Sequence, residues 1–250
     1  MKKDKKIRVG MFSLTGCEGC YFSVIDLREK FLALGAKLEF VNFRLMEEGQ
    51  HLPNEKYDIA LVEGSPLTQD NISELKEIRK NANILVAFGS CACMGGIYHM
   101  KQYHDKEKIF NHVYNGNTGI DNLEVKPINQ IVQVDYFIPG CPINAKEFLQ
   151  IVYQLIINKK PTINQRPVCF ECQTRGFECL LQKGQVCLGP ITLGGCGAIC
   201  LKSKQGCWGC RGLLEDAEVE NLIKKLREKY TDRQIVKFFE VFGIKELINK

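Results

Sequence analysis

No stretch of the 250 residues approaches the ~18 consecutive apolar positions that a membrane-spanning helix needs. The richest, Ile151 to Ile157, is interrupted by Tyr153 and Gln154. A chain integral to the membrane is therefore not expected. The N-terminal MKKDKK runs straight into IRVGMFSL, too short and strand-like for a secretory leader, and no small-residue cleavage site precedes Cys17. The expected location is the cytoplasm. No Walker loop and no GxGxxG occurs, so neither nucleotide nor flavin is expected on this chain. Nucleic-acid-binding motifs are missing as well, and Lys and Arg are scattered rather than clustered, so no nucleic-acid partner is expected. His51, His99, His104 and His112 lack ligand spacing and read as surface or structural residues. There is no internal repeat.

Cysteine is what the chain has in excess, at 13 residues. In a reducing compartment that density argues against a disulfide framework, and an odd number cannot pair completely. Metal binding is the leading reading. Hydrophobic residues make up 45% and charged residues 25%, ordinary for a globular protein. The formal charge of +5 assumes neutral thiols. A 4Fe–4S core with four thiolates carries about −2 when oxidised; twelve cysteines holding three of them would bring the total close to zero.

Residues 1–158 alternate strand and helix patterns. Strands are expected at Ile7–Ser13, Lys37–Phe43, Asp58–Glu63, Ile84–Phe88 and Val134–Ile138. Helices are expected at Cys20–Leu34, at Asp70–Arg79 opened by Asp70, and at Ile143–Ile157. Short apolar strands alternating with helices predict an α/β domain, a doubly wound parallel sheet covered on both faces. Residues 99–130 fit poorly and read as a loop-rich insertion. A polar linker with two prolines leads into residues 159–212, which hold eight cysteines, little apolar material and many glycines; metal must supply the folding energy there. The tail, 213–250, reads as helical, with a stripe of Leu214, Ala217, Leu222, Ile223 and Leu226. Thr231-x-x-Gln234 is a capping-box signature ahead of Ile235, Phe238, Phe239 and Phe242, a face expected to pack on the protein itself.

Cys17-Glu-Gly-Cys20 alone fits a thioredoxin-like pair, half a zinc site or part of an iron–sulfur site. Cys91 and Cys141 also directly follow strands. In a parallel sheet the carboxyl ends of the strands share one edge, where ligands bind. Cys17, Cys20, Cys91 and Cys141 can thus converge, and four thiolates suit Zn²⁺ or a 4Fe–4S cluster. Glycines flank all four positions, which favours a bulky anionic cluster approached by backbone N–H groups. Pro142 is expected to open a helix and so place Cys141 at its N-terminus. Glu18 reads as a helix N-terminal acid. The later cysteines, Cys169, Cys172, Cys179, Cys187, Cys196, Cys200, Cys207 and Cys210, make two complete four-ligand sets. Their spacing matches neither a zinc ribbon nor a bacterial ferredoxin run, although two zinc sites remain possible on counting alone.

CEGC at 17–20, GSCA at 89–92, PGCP at 139–142 and the block CLGPITLGGCGAIC…GCWGCRG together resemble the small subunit of nickel–iron hydrogenases. The likeness is greatest to the cytoplasmic group 3 enzymes of archaea and anaerobic bacteria. The resemblance implies a flavodoxin-like domain at 1–158 with a proximal 4Fe–4S cluster on Cys17, Cys20, Cys91 and Cys141. A two-cluster ferredoxin-like domain at 159–212 follows. Its distal ligands would be Cys169, Cys172, Cys179 and Cys187, and its medial ligands Cys196, Cys200, Cys207 and Cys210. It also implies a large-subunit partner that carries the nickel–iron centre and cleaves hydrogen, and an acceptor subunit holding flavin or iron–sulfur groups. Periplasmic members carry an export signal, use a histidine at the position of Cys169 and often lack the fourth medial ligand supplied by Cys200. The paired CxxC signature of the large subunit is missing here, so catalysis is not expected on this chain. A cluster-bearing quinone-oxidoreductase subunit would leave the eight later cysteines unexplained; a zinc-stabilised interaction module is the alternative from another class. Among the thirteen, Cys93 is left over and reads as a small buried hydrophobe beside the ligand Cys91.

Overall fold

Five parallel strands carry the N-terminal unit of this computed structural model, which describes residues 6–43, 55–116 and 121–248. They are β1 (Ile7–Ser13), β2 (Leu38–Phe43), β3 (Tyr57–Glu63), β4 (Ala82–Phe88) and β5 (Tyr136–Ile138), in the order β2-β1-β3-β4-β5. This is the flavodoxin-like order, with its topological switch point between β1 and β3. The apolar runs are continuous because helices cover both faces: Ile59 to Val62 and Leu85 to Phe88 are all buried. Each buried Leu, Ile or Val contributes about 1.5–3 kcal/mol of transfer free energy, so the two central strands dominate this core.

Register decides where the strands end. Ser13 pairs with Glu63, Glu63 with Phe88, and Phe88 with Ile138, so four strands finish in one row. β5 is shorter than the apolar run suggests because Asp135 uses its side chain: the carboxylate accepts the Leu85 N–H at 2.8 Å and pairs with Arg79 at 2.6 Å.

The expected long first helix is two helices, α1 (Gly19–Ile25) and α2 (Glu29–Leu34). α1 buries Cys20, Tyr21 and Val24, not Phe22 and Ile25. Continued unbroken, that face would take in Arg28, four residues after Val24. Instead Arg28 adopts φ +52°, stays exposed, and the helix restarts behind it. Helix α3 (Gln69–Asn81) opens not at Asp70 but behind Thr68, whose hydroxyl accepts the Asn71 N–H at 3.1 Å. α4 (Ser90–Met94) is a single turn after β4.

The described residues of Met1–Gly95 and Thr118–Pro161 make one compact unit; those of Gly96–Asn117 and Thr162–Lys250 make the other. The stretch expected to be loop-rich contains a 3-10 helix at Gly96–Tyr103 and helix α5 (Lys106–Tyr114), capped by Asp105, which accepts the Glu107 and Lys108 N–H groups. In the second unit this segment packs with the tail. His99, buried, lies against Gly243, the Tyr103 hydroxyl donates to Glu246 at 3.2 Å, and Lys245 stands over the Tyr103 ring.

Helix α6 (Ala145–Ile156) completes the first unit. The second adds α7 (Val168–Thr174), α8 (Ile199–Lys202), α9 (Val219–Leu226), α10 (Asp232–Glu240) and α11 (Ile244–Ile248). Of the expected stripe, Leu222 and Leu226 are the buried members, and Leu214 and Ala217 precede α9. The Thr231 capping box forms as the sequence predicts. Phe238 stands 6.1 Å from Trp208 and 4.9 Å from Tyr230, both edge-on, so the tail's aromatic face packs within its own unit. No helix of the described residues is long and apolar enough to cross a membrane.

Candidate metal centres

The row of strand ends feeds the first group of cysteines. Cys17 and Cys20 follow β1, Cys91 follows β4 and Cys141 follows β5. A bridge between Thr15 and Ser65 ties the loops after β1 and β3, with backbone bonds of 2.8 and 3.2 Å. The buried Ser65 hydroxyl contacts the carbonyls of Cys91 at 2.9 Å and Gly95 at 3.3 Å, fixing the turn that carries Cys91. Ser90 N–H donates to Gly140 O at 2.8 Å, joining the Cys91 and Cys141 loops.

The thiols are electrostatic neighbours. Burial pushes the Cys91 thiol up to about 12, and the charges of Cys141, Cys17 and Glu63 add to it. Cys20 is raised by burial, then by Glu63, with smaller contributions from Cys91 and Cys141. Cys141 is raised by burial and by Cys17. Without a cation these thiols stay protonated at neutral pH; a metal bound there would take them as thiolates and displace the protons. Gly89 lies at φ +87°, and a Cβ there would stand 2.5 Å from Cys20 Sγ. Only glycine leaves that space for sulfur.

One detail differs from the sequence reading. α6 begins at Ala145, capped by Asn144, whose side chain accepts the N–H groups of Lys146 at 2.9 Å and Glu147 at 3.3 Å. Pro142 therefore does not open the helix, and Cys141 is not at a helix N-terminus; Asn144-x-x-Glu147 was the cap signal. Glu18 does stand at the N-terminus of α1, at the N-cap position, in a left-handed conformation at φ +59° and with no side-chain cap bond. Cys93, half-buried rather than buried, donates to Ala87 O at 3.5 Å and packs against the hydrophobic core. Glu63 was missed altogether. It is 3% exposed at the end of β3, with burial raising its carboxyl to about 7 and its Oε1 3.4 Å from the Ser13 hydroxyl. Its signal was an acid closing the apolar strand YDIALVE before Gly64.

In the second unit Cys169 and Cys172 sit on α7, one helical step apart. Burial pushes Cys169 up to about 12, helped by Cys187, Cys172 and Cys179 in that order, so these four are neighbours. A Cβ at Gly189 would stand 3.3 Å from both Cys169 Sγ and Cys187 Sγ. Cys187 Sγ also accepts the Cys207 N–H at 3.3 Å. Cys207 is raised by burial while N–H of Gly209 and the Thr192 hydroxyl oppose it, with Cys187 and Cys210 nearby. Cys196 is raised by burial, offset by the Ala198 N–H; Glu171 and Arg211 pull it in opposite directions. Cys196 and Cys200 pack against the same hydrophobic cluster that contains Cys172, Cys187 and Cys207.

Among the described residues no group of three or more His, Cys, Asp or Glu closes on a single metal-ion position. All-thiolate donors, glycine-lined approaches and backbone N–H groups on sulfur fit the cluster. His99 is buried, His104 and His112 are exposed, and His51 lies outside the described residues.

The profile of the family described as NADH ubiquinone oxidoreductase, 20 Kd subunit, matches residues 17–155, a span that takes in Cys17, Cys20, Cys91 and Cys141 and ends before Cys169. Sulfhydrogenase 2 subunit delta of Pyrococcus furiosus is 34% identical over 239 residues, covering 95% of this chain and 99% of the relative. A chain of an NAD+-reducing NiFe-hydrogenase in the H2-reduced state superposes with a TM-score of 0.57 at 30% identity, over 64% of this chain and 96% of that one. The actinobacterial-type NiFe-hydrogenase from Ralstonia eutropha H16 shares the fold over 98% of this chain and 92% of its own, with a TM-score of 0.63 at 14% identity. The α/β architecture is thus that of nickel–iron hydrogenase small subunits. The chain belongs to the NADH ubiquinone oxidoreductase 20 Kd subunit family and, within it, sits with the hydrogenase small subunits as part of an oxidoreductase.

Proposed function

We propose that this chain is the iron–sulfur subunit of a cytoplasmic nickel–iron hydrogenase. It relays electrons between the nickel–iron site of a partner large subunit, where hydrogen is cleaved, and an acceptor subunit carrying flavin or iron–sulfur groups. The observation that carries this reading is the convergence of Cys17, Cys20, Cys91 and Cys141, far apart in sequence, at one edge of the sheet. These four would hold a proximal 4Fe–4S cluster. Cys196, Cys200, Cys207 and Cys210 would hold a medial one, and Cys169, Cys172, Cys179 and Cys187 a distal one, within the region 159–212 braced by the tail 213–250. Such clusters supply one-electron redox chemistry, with potentials set by burial and by hydrogen bonds to sulfur.

The chain's own residues do the holding and tuning. Ser65 and the Gly140 carbonyl fix the loops of Cys91 and Cys141, Gly89 leaves room beside Cys20, and N–H groups aimed at Cys187, Cys196 and Cys207 favour the thiolate charge. Cys17 and Cys141 are exposed, and Phe22, two residues past Cys20, is 56% exposed. This is the face the large subunit would cover, through a permanent interface on the order of 2,000 Å² or more.

The test is purification of the native complex without oxygen. The expected result is about 12 iron and about 12 acid-labile sulfide per copy of this chain, together with a nickel-bearing subunit. Zinc without sulfide would sink the reading. About 4 iron in protein never exposed to air would favour a quinone-oxidoreductase role instead.

A further inference from the structure

Glu171 has no part in the ligand assignment, yet it lies between two cysteines of one group of the second unit and contacts a cysteine of the other. It lies on α7 between Cys169 and Cys172. Its Oε1 accepts the Gly195 N–H at 3.0 Å, its Oε2 accepts the Gly197 N–H at 3.0 Å, and Oε2 stands 3.9 Å from Cys196 Sγ. Cys196 is thus the residue caught inside the fork. The segment just before it is pinned by opposite chemistry: the buried Arg211 donates through Nε to the carbonyls of Leu193 at 3.2 Å and Gly194 at 2.7 Å. Gly194 N–H in turn donates to Arg166 O at 2.7 Å, just ahead of α7. A carboxylate takes the N–H groups and a guanidinium takes the C=O groups.

The chemistry is specific to a carboxylate. Both oxygens accept, so both glycine N–H groups are satisfied; a glutamine offers one acceptor and one donor, and would turn an NH₂ toward one of them. Charge-assisted bonds of this kind are also the stronger ones. The helix that carries Cys169 and Cys172 therefore sets the position of Cys196, a member of the other group.

We propose that Glu171 is a positioning residue for the cluster bound through Cys196: it holds Cys196 in place from the helix bearing Cys169 and Cys172, and its negative charge lowers the potential of that one cluster. This rests on the iron–sulfur reading above. A negative charge beside a cluster disfavours the added electron, so neutralising it raises the potential.

Glu171→Gln keeps the side-chain shape while removing the charge and one acceptor. In the anaerobic complex, redox-titrated EPR should show one of three cluster signals moved to higher potential, the same signal that Cys196→Ser alters, with the other two unmoved. Glu171→Ala should lose about 4 of about 12 iron, from that same cluster. If the glutamine variant loses iron too, Glu171→Asp decides: keeping the charge must keep the wild-type potential. A shift in the signal altered by Cys169→Ser, no shift at all, or equal shifts with Asp and Gln would overturn the proposal. Wild-type complex lacking iron and sulfide would overturn the function itself; wild-type complex with about 12 iron and an unmoved Gln variant would overturn the role of Glu171 alone.

Discussion

At the strand ends, cysteines from position 17 to position 141 are gathered by a sheet whose core cluster of Phe12, Val62, Leu75, Ile78 and Leu85 is apolar, with Cys20 alone of the four buried. In the second unit Cys172, Cys187 and Cys207 are themselves core members, beside Val168, Leu180, Ala198 and Leu201. The first site is an addition to a fold that stands on ordinary burial. The second is a fold in which cysteines take the place of the apolar side chains that the sequence does not supply. On the proposed assignment, metal binding would be local chemistry in one region and folding free energy in the other.

The largest expected effect tests that contrast directly. Stripping iron from the complex under anaerobic chelation should remove hydrogen-exchange protection across 168–212 while β1, β3 and β4 stay protected. Equal loss in both regions, or in neither, would break the distinction.

Next come changes confined to the strand ends. Gly89→Ala forces a methyl to 2.5 Å from Cys20 Sγ in a backbone conformation alanine disfavours. It should cost about 4 of about 12 iron, measured by iron and sulfide content, and leave the sheet's circular dichroism intact. Cys91→Ser should cause the same loss, whereas Cys93→Ser should leave iron content unchanged, because its sulfur faces Ala87 O and the core. Reversed outcomes at 91 and 93 would mean that the turn after β4 presents the other thiol.

The smallest effect is in the tail. Thr231→Ala removes the capping box of α10 and should lower local stability by about 1 kcal/mol, read as faster exchange in α10, with cluster content untouched.

The sheet was legible because its strands are buried on both faces, so Ile7–Ser13 and the runs ending at Glu63, Phe88 and Ile138 stand out without reference to context. The proposed site rests on the same fact, since a cysteine directly behind a buried parallel strand must lie near the shared edge. The helix breaks were not legible. Neither Gly nor Pro marks the turn at Arg28; what stops the helix is that the buried face reaches a charged residue, a phase relation visible only once Tyr21 and Val24 are known to face inward. Pro142, directly after Cys141, reads as the helix start, but Asn144, two residues further on, is the cap, and only its side-chain bonds to the Lys146 and Glu147 N–H groups reveal it. Glu63 and Glu171 were passed over for one reason: each looks like ordinary surface charge until burial or a pair of glycine N–H groups is seen around it.

The two units are interlaced along the chain, since 96–117 belongs with the C-terminal residues while 118–161 returns to the sheet. During synthesis, Tyr103 emerges 143 residues ahead of Glu246, the side chain it bonds. At ribosomal rates of about 5–20 residues per second, this segment waits roughly 7–30 s for its place to exist. No single cut in the polypeptide frees the cysteine-rich unit whole, so a fragment begun at the linker would lack the strand of chain that Gly243 and Glu246 fold against. The nascent sheet can close early; the unit that holds eight of the cysteines cannot close until Gly243 and Glu246 have been made.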